Sequence, residues 1–196
     1  MFRKYHCYRF LAVLLSLSIA ILYGCAKPPT KEVENAEKAI AEAKQKEADL
    51  YVQDVFTKAQ DALKNAKDLI AVKKYMEAKK AAEDAANLAN QAILMVEPNK
   101  AKMKTEVEQM IPEVQGTMDE LKSLVAKAIK KKAPINREEI QSSIGKWEID
   151  MVNVKDQLRG GRIRQANDQL ISMKEQMKMQ RELLVAATGQ ESVVKK

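Results

Sequence analysis

The chain of 196 residues carries 34 lysines and arginines against 27 aspartates and glutamates, a formal charge of +7, and it contains one histidine and two cysteines. His6 and Cys7 lie within the first 24 residues, and the remainder, with 31 basic and 27 acidic residues, has a formal charge of +4. That remainder has no histidine and one cysteine, which excludes zinc, haem and iron–sulfur ligation through those residue types and any histidine-based nucleophile pair. We therefore expect no cofactor and no enzymatic activity, with only carboxylate or lysine chemistry left open.

The first 24 residues have the pattern of a signal peptide. Arg3, Lys4 and Arg9 flank the start of an apolar stretch over residues 10–23 that only two serines interrupt. A helix that crosses a bilayer needs about 20 residues, so this stretch has the length of a secretory signal core instead. The sequence predicts that residues 1–24 direct export.

The end of this stretch, Leu22-Tyr23-Gly24-Cys25, resembles the bacterial lipobox, although Tyr23 is bulkier than the usual residue at its position. The resemblance implies cleavage between Gly24 and Cys25, a diacylglyceryl group on the Cys25 sulfur and a further acyl chain, such as palmitate, on the new amine. Anchoring becomes stable once more than one acyl chain is attached. Because Ala26 and not aspartate follows, we expect the periplasmic face of the outer membrane. The alternative is an uncleaved signal anchor in which Cys25 is a plain thiol.

The rest of the chain predicts an all-α fold of antiparallel helical hairpins or a bundle. Ala, Glu, Lys and Gln are strong helix formers, and apolar residues recur at steps of three and four residues. Thr30 is expected to cap the first helix, Pro98 to end the third and Pro112 to kink or split the fourth. The predicted helices span residues 31–49, 53–72, 74–95, 99–132, 137–158 and 162–187.

An internal repeat relates the second and third predicted helices to the fifth and sixth. With a shift of 88 residues, the apolar residues Phe56, Ala59, Leu63, Ala66 and Ile70 coincide with Ile144, Trp147, Met151, Val154 and Leu158. The third helix opens with Tyr75 and Ala78. This spacing is similar to the Y-x-x-A pattern that opens the second helix of each tetratricopeptide unit. This favours an Ala-rich hairpin domain over residues 25–96, a long connecting helix over 97–133, a second hairpin over 134–188 and a tail over 189–196. Duplication and the chance alignment of two amphipathic hairpins are both compatible with the repeat.

The stretch from Cys25 to Ala92 resembles a small domain of bacterial lipoproteins, domain of unknown function 4398. The resemblance rests on Lys27-Pro28-Pro29, on ENAEKAIAEAKQ at 34–45, on Tyr51 with the apolar steps after it, and on KKYMEAKKAAEDA at 73–85. Val52-Gln53 stands where the family usually has a proline after the position of Tyr51. The resemblance implies a helical lipoprotein of the Gram-negative envelope and supplies no catalytic residues.

Three features in the second half have a structural and a functional interpretation. Trp147 is favoured as a core residue over a ligand platform, and the methionine series is favoured as core filling over an adaptable partner-binding groove. The run Lys130-Lys131-Lys132 is favoured as a solvated helix end, where cations suit the helix dipole, over a site for anionic lipid.

The sequence leaves three classes of function open. The first is a membrane-tethered helical scaffold or interaction module that binds a protein partner in the envelope. The second is a passive tether between membrane and peptidoglycan, in which Lys196 is joined to the cell wall as in the major outer-membrane lipoprotein, whose terminal lysine it matches. The third is a protein that holds lipid or another amphiphile in a core lined by methionine. The expected partners are the membrane, through the lipid on Cys25, and an envelope protein, and we expect no nucleic acid.

Overall fold

The computed structural model describes residues 27–189, and within them the chain forms six α-helices and no strand. The predicted all-α class is confirmed. None of these helices combines the length and the apolar character needed to cross a membrane. The helices are α1 (Thr30–Gln45), α2 (Ala48–Tyr51), α3 (Gln53–Ala71), α4 (Tyr75–Lys130), α5 (Arg137–Arg159) and α6 (Ile163–Thr188).

The chain packs as two compact units that divide between Leu94 and Met95. The first unit contains α1, α2, α3 and the start of α4, and the second contains the rest of α4 with α5 and α6. In each unit two helices joined by a short turn are accompanied by one further long helical segment. The predicted division at residues 96 and 133, and the tetratricopeptide-like geometry, stay predictions.

The first unit is built around alanine. Ala66, Ala81 and Ala82 form a buried cluster between α3 and α4, against which Val33 of α1 and Leu69 of α3 pack. Small side chains allow helix axes to approach closely, so the contact between helices here is largely backbone against Cβ. Fully buried alanines lie on all the helices of the unit: Ala36, Ala43, Ala48, Ala59, Ala66, Ala78, Ala82, Ala85, Ala89 and Ala92.

The second unit is built around larger side chains. Its largest fully buried side chains are Leu121, Leu170, Met173, Met177, Leu184, Val107, Val114 and Val154. Ion pairs on the surface connect α6 to α4, from Lys174 to Glu113 at 3.0 Å and from Arg181 to Glu120 at 2.9 Å. The numbers of the paired residues rise together, so α6 runs parallel to this part of α4.

Helix α4 continues through two prolines, and the prediction that Pro98 ends the third helix was wrong. Pro112 likewise does not split the fourth segment. A proline inside a helix removes one backbone hydrogen bond and leaves the carbonyl four residues earlier without its partner. Both prolines, and Leu94 and Glu108 four residues before them, are exposed, so water can reach the freed carbonyl groups. Around Pro112 the opposite side of the helix is buried through Val107, Val114 and Met118, and this burial supports the helix, whereas beside Pro98 the nearest buried residues are Val96 and Val107.

The first helix is shorter than predicted at its C-terminal end. It ends at Gln45 instead of residue 49, because Glu47 adopts a left-handed conformation, with φ 66°, and its N–H donates to the Lys44 carbonyl at 2.9 Å. The chain then turns so that Tyr51 and Val52 are buried.

The start of this helix also differs from the prediction. Thr30 is its first residue and not its cap, since Pro29 occupies the N-cap position and makes no side-chain hydrogen bond there.

The α3–α4 and α5–α6 turns have the same backbone hydrogen bonds. In each, the N–H of the last turn residue donates at 2.9 Å to a carbonyl five residues earlier, which is the pattern of a Schellman motif. These bonds run from Lys74 to Leu69 and from Arg162 to Gln157. The left-handed residue of the turn is Lys73 in the first unit and Gly161 in the second, 88 residues later.

Candidate functional site

The predicted modification site lies outside the described residues. Leu22, Tyr23, Gly24 and Cys25 all precede Lys27, at which the described part of the chain begins. Cleavage and lipidation at Cys25 therefore stay predictions, and so does linkage of the last lysine to peptidoglycan, because that residue also lies outside the described part.

The segment that follows the predicted lipidation site packs onto the first unit. Pro29 is buried, and the Thr30 N–H donates to the Pro28 carbonyl at 2.8 Å. The segment borders a shallow cavity of about 380 Å³ beside the α3–α4 turn. The cavity is lined by residues 27–32 and by Tyr75, Met76 and Lys79. Residues 27–29 are thus seated against the start of α4.

A bridge of charges connects α1 to α4 at this end. The Lys79 Nζ lies 3.3 Å from the Glu32 Oε1 and 3.8 Å from the Glu83 Oε1. A hydrogen bond from its own backbone N–H in the first turn of α1 is the largest cause that lowers the pKa of Glu32 below its ordinary value. Desolvation opposes this shift, and the hydrogen bond and charge of Lys79 lower the pKa further. The carboxylate therefore stays charged and keeps the bridge at neutral pH.

The turn beside this cavity exposes apolar side chains. Val72 and Met76 are both exposed, and Lys73, Lys74 and Tyr75 lie between them in the chain. We call the surface formed by residues 27–32 and 71–80 the basic end of the first unit. From the sequence, residues 71–80 were predicted only as a turn and the start of a helix. The sequence does contain a signal, since Val72 and Met76 stand on either side of the Lys73-Lys74 pair at positions outside the buried stripe.

The second unit places Trp147 in its core. The residue is 3 % exposed, and its Nε1 donates to the Gln176 Oε1 at 3.1 Å, which ties α5 to α6. This agrees with the core interpretation and leaves no open face for a ligand. The methionines divide between core and surface, since Met173 and Met177 are buried whereas Met179 is exposed.

The run Lys130-Lys131-Lys132 lies at the C-terminal end of α4. Its middle residue, Lys131, donates from Nζ to the Thr188 carbonyl at 3.2 Å, at the end of α6. A cation is favourable near a helix C-terminus, where carbonyl groups lack partners. This agrees with the interpretation of the run as a helix end.

Helix α5 carries a second exposed apolar pair, of which Val152 lies beside α4. Ile149 and Val152 are 64 % and 59 % exposed. Next to them the Lys122 Nζ lies 2.7 Å from the Glu148 Oε1, and this hydrogen bond raises the pKa of Lys122. A shallow cavity of about 260 Å³ lies beside the ion pair and is lined by Gln115, Met118, Asp119, Lys122, Glu148, Met151, Val152 and Lys155. This face was not predicted, because the spacing of apolar residues along a helix indicates buried positions more clearly than exposed ones.

Catalytic or metal-binding groups were sought in the same part of the chain. Across residues 27–189, no group of three or more His, Cys, Asp or Glu side chains is placed to hold a metal ion. Many of the charged residues instead form ion pairs along and between exposed helix faces, such as Lys67 with Glu37 at 2.7 Å.

No family model, curated protein or solved structure matches the chain. The resemblance of residues 25–92 to the lipoprotein domain therefore rests on the motifs quoted above.

Proposed function

We propose that the chain is a lipoprotein of the bacterial cell envelope, anchored through lipid on Cys25 and acting without catalysis as a helical interaction module. The observation that carries the proposal is the order of positive residues, apolar core and Leu22-Tyr23-Gly24-Cys25 at the N-terminus. The anchor would hold the helical body at the periplasmic face of the outer membrane.

The exposed pair Ile149 and Val152 is the surface on which we expect a protein partner to bind. Apolar residues exposed next to charged groups such as Lys122 and Glu148 fit the usual composition of interfaces, with an apolar centre and a polar rim. The pair is small, so a weak or transient contact is expected from this face alone.

Metabolic acyl labelling tests the anchor. The wild-type chain should incorporate labelled fatty acid and fractionate with membranes, whereas Cys25→Ala should lose the label because the sulfur that accepts the diacylglyceryl group is absent. Cys7→Ala is the matched control, since that cysteine would be removed with the leader. Equal labelling of wild type and Cys25→Ala would refute lipidation at this residue.

Crosslinking in living cells tests the interaction surface. A photoreactive amino acid in place of Val152 should give a discrete protein adduct, and the same residue in place of the neighbouring, exposed Asn153 should give much less. Identical adduct patterns at the two positions would contradict a specific contact on this face. A muropeptide joined to Lys196 in the same material would favour the passive tether, and co-purified lipid that exchanges would favour the amphiphile-binding alternative.

A further inference from the structure

The basic end of the first unit combines exposed apolar side chains with an excess of positive charge. Val72 and Met76 are 64 % and 75 % exposed. The two segments of this surface, residues 27–32 and 71–80, contain six lysines and two glutamates. A surface of this composition is attracted to an anionic layer with an apolar interior.

The lysines at this end are largely free to bind a partner. Lys74 lies 3.3 Å from Glu77, and Lys79 bridges to Glu32 and Glu83. The other four lysines have no carboxylate within ion-pair distance among residues 27–189, and they are exposed. These four are Lys27, Lys31, Lys73 and Lys80.

The covalent chain brings a membrane anchor to this same end. Three Cα-to-Cα steps connect residue 25 to Pro28, so a group attached at Cys25 starts within about 11 Å of Pro28 in any conformation. Pro29 is buried, and residues 27–32 share a cavity with Tyr75 and Met76 at the start of α4. No free linker therefore separates the predicted anchor from the α3–α4 turn.

We propose that the basic end is a second membrane contact, in which its lysines bind the phosphates of anionic phospholipids and Val72 and Met76 enter the interfacial layer. The proposal rests on the proposed lipid anchor at Cys25. The anchor keeps this surface at the bilayer, so that weak contacts with lipid are made at high local concentration. Together the two contacts fix the end of the first unit that faces the membrane, with α4 leading away from it.

Depth-dependent quenching of a fluorescent label tests the proposal on the lipid-anchored, membrane-bound chain. Met76→Cys and Leu94→Cys place a fluorescent label at two sites of α4 in the first unit that are 75 % and 78 % exposed. The two sites are separated by 18 residues, which is about 27 Å and five helical turns, so the labels lie on the same face. In vesicles of phosphatidylethanolamine and phosphatidylglycerol, nitroxide-bearing lipids should quench the label at residue 76 strongly and the label at residue 94 weakly. Equal quenching at the two positions would overturn the proposal.

Charge reversal tests the contribution of the lysines. Each lysine near an anionic surface strengthens binding about fivefold, so Lys73→Glu with Lys74→Glu should reduce quenching at residue 76 sharply. Replacing phosphatidylglycerol by phosphatidylcholine should likewise reduce quenching at residue 76 in the chain that keeps Lys73 and Lys74. Quenching that is unchanged by both changes would overturn the role of the lysines.

Thiol labelling of the same preparations separates this proposal from the anchor itself. If Cys25 carries lipid, the chain without an added cysteine takes up no label, because Cys7 leaves with the leader and the Cys25 sulfur is blocked. Label on that chain refutes lipidation, whereas an unlabelled, membrane-bound chain with equal quenching at residues 76 and 94 refutes only the second contact.

Discussion

The two units of the protein use the same turn and nearly the same pattern of buried positions, but they fill those positions with side chains of different size. At five matched positions the first unit has alanine and the second has a larger residue 88 positions later, with both members of each pair buried, whereas Ala78 and Ala166 are alanine in both units. The pairs are Ala59 and Trp147, Ala66 and Val154, Ala82 and Leu170, Ala85 and Met173, and Ala89 and Met177. The comparison indicates that the same turn and the same inward-facing positions accept side chains of different volume, and smaller side chains allow helices to approach more closely.

The largest effect is expected when a charge is placed in the alanine core. Ala59→Glu should lower the free energy of unfolding by about 3–5 kcal/mol, because an uncompensated buried charge is left without solvent or partner. Denaturant unfolding of the full chain measures the change, and amide hydrogen exchange assigns it to the first unit.

Gln60→Glu is the control for this substitution, since residue 60 is exposed one position further along the same helix. It should change stability very little. Similar losses for the two variants would mean that Ala59 is not confined between helices.

Exchanging the residues at one matched position tests the comparison more directly. Met173→Ala should leave a cavity in the second unit and cost about 2–5 kcal/mol. Ala85→Met should overfill the first unit and cost about 1–3 kcal/mol. Both measurements use denaturant unfolding, with segment-resolved hydrogen exchange to locate the effect. If Ala85→Met were neutral, the two units would not differ in helix separation at this position.

A smaller effect is expected at the turn that the two units share. Gly161→Ala should destabilise the second unit by about 1 kcal/mol, because a left-handed conformation is unfavourable for a residue with a Cβ atom. A Cβ atom built at Gly161, where φ is 74°, has no atom within 4 Å, so the effect is conformational and not steric.

The reciprocal change, Lys73→Gly, should stabilise the first unit by no more than about 1 kcal/mol, because glycine also raises the entropy of the unfolded chain. Thermal unfolding of the two variants should therefore move in opposite directions. Shifts of the same sign would show that the two turns are not equivalent.

The smallest effects concern the dependence of stability on pH. We expect the effect in the first unit at the acid end of the pH profile and the effect in the second unit at the alkaline end. The pKa of Glu32 is lowered in the folded state, so its contribution to stability is present above the unfolded pKa and is lost as pH falls through the folded value. The pKa of Lys122 is raised, so its contribution is present below the unfolded pKa and is lost as pH rises through the folded value. Glu32→Gln should reduce the change of stability with pH at the acid end of the profile. Lys122→Gln should reduce it at the alkaline end. Lys79, Lys122 and Glu148 are exposed and Glu32 is half-buried, so the changes are small. A variant that altered the opposite end of the profile would contradict the assignment.

Much of the fold could be predicted from the sequence, because apolar residues that recur every three or four positions indicate which side of a helix is buried. The start of α3 at Gln53 and of α5 at Arg137 agrees with the predicted bounds, and the stripe from Val107 to Ala128 is buried as a helical face. The passage of α4 through Pro98 could not be predicted, since it depends on which side of the helix the proline occupies. The left-handed Glu47 was also missed, because no glycine or asparagine marks that position.

The candidate surfaces were harder to predict than the core. The lipobox is a local motif and could be recognised from four consecutive residues. The proximity of residues 27–32 to Met76 depends on a contact between segments more than forty residues apart in the chain. The exposure of Ile149 and Val152 depends on how α5 rotates against its neighbours, which a sequence pattern does not determine.

The alanine core of the first unit has a thermodynamic consequence. An alanine side chain loses no rotamer entropy on burial, whereas a methionine loses up to about 2 kcal/mol, so the first unit orders its core at little entropic cost and gains correspondingly little from burial of apolar area. The heat-capacity change of unfolding increases with apolar area exposed. The first unit should therefore have a flatter stability curve than the second and retain more of its stability on cooling, since it depends more on helix propensity than on hydration of its core.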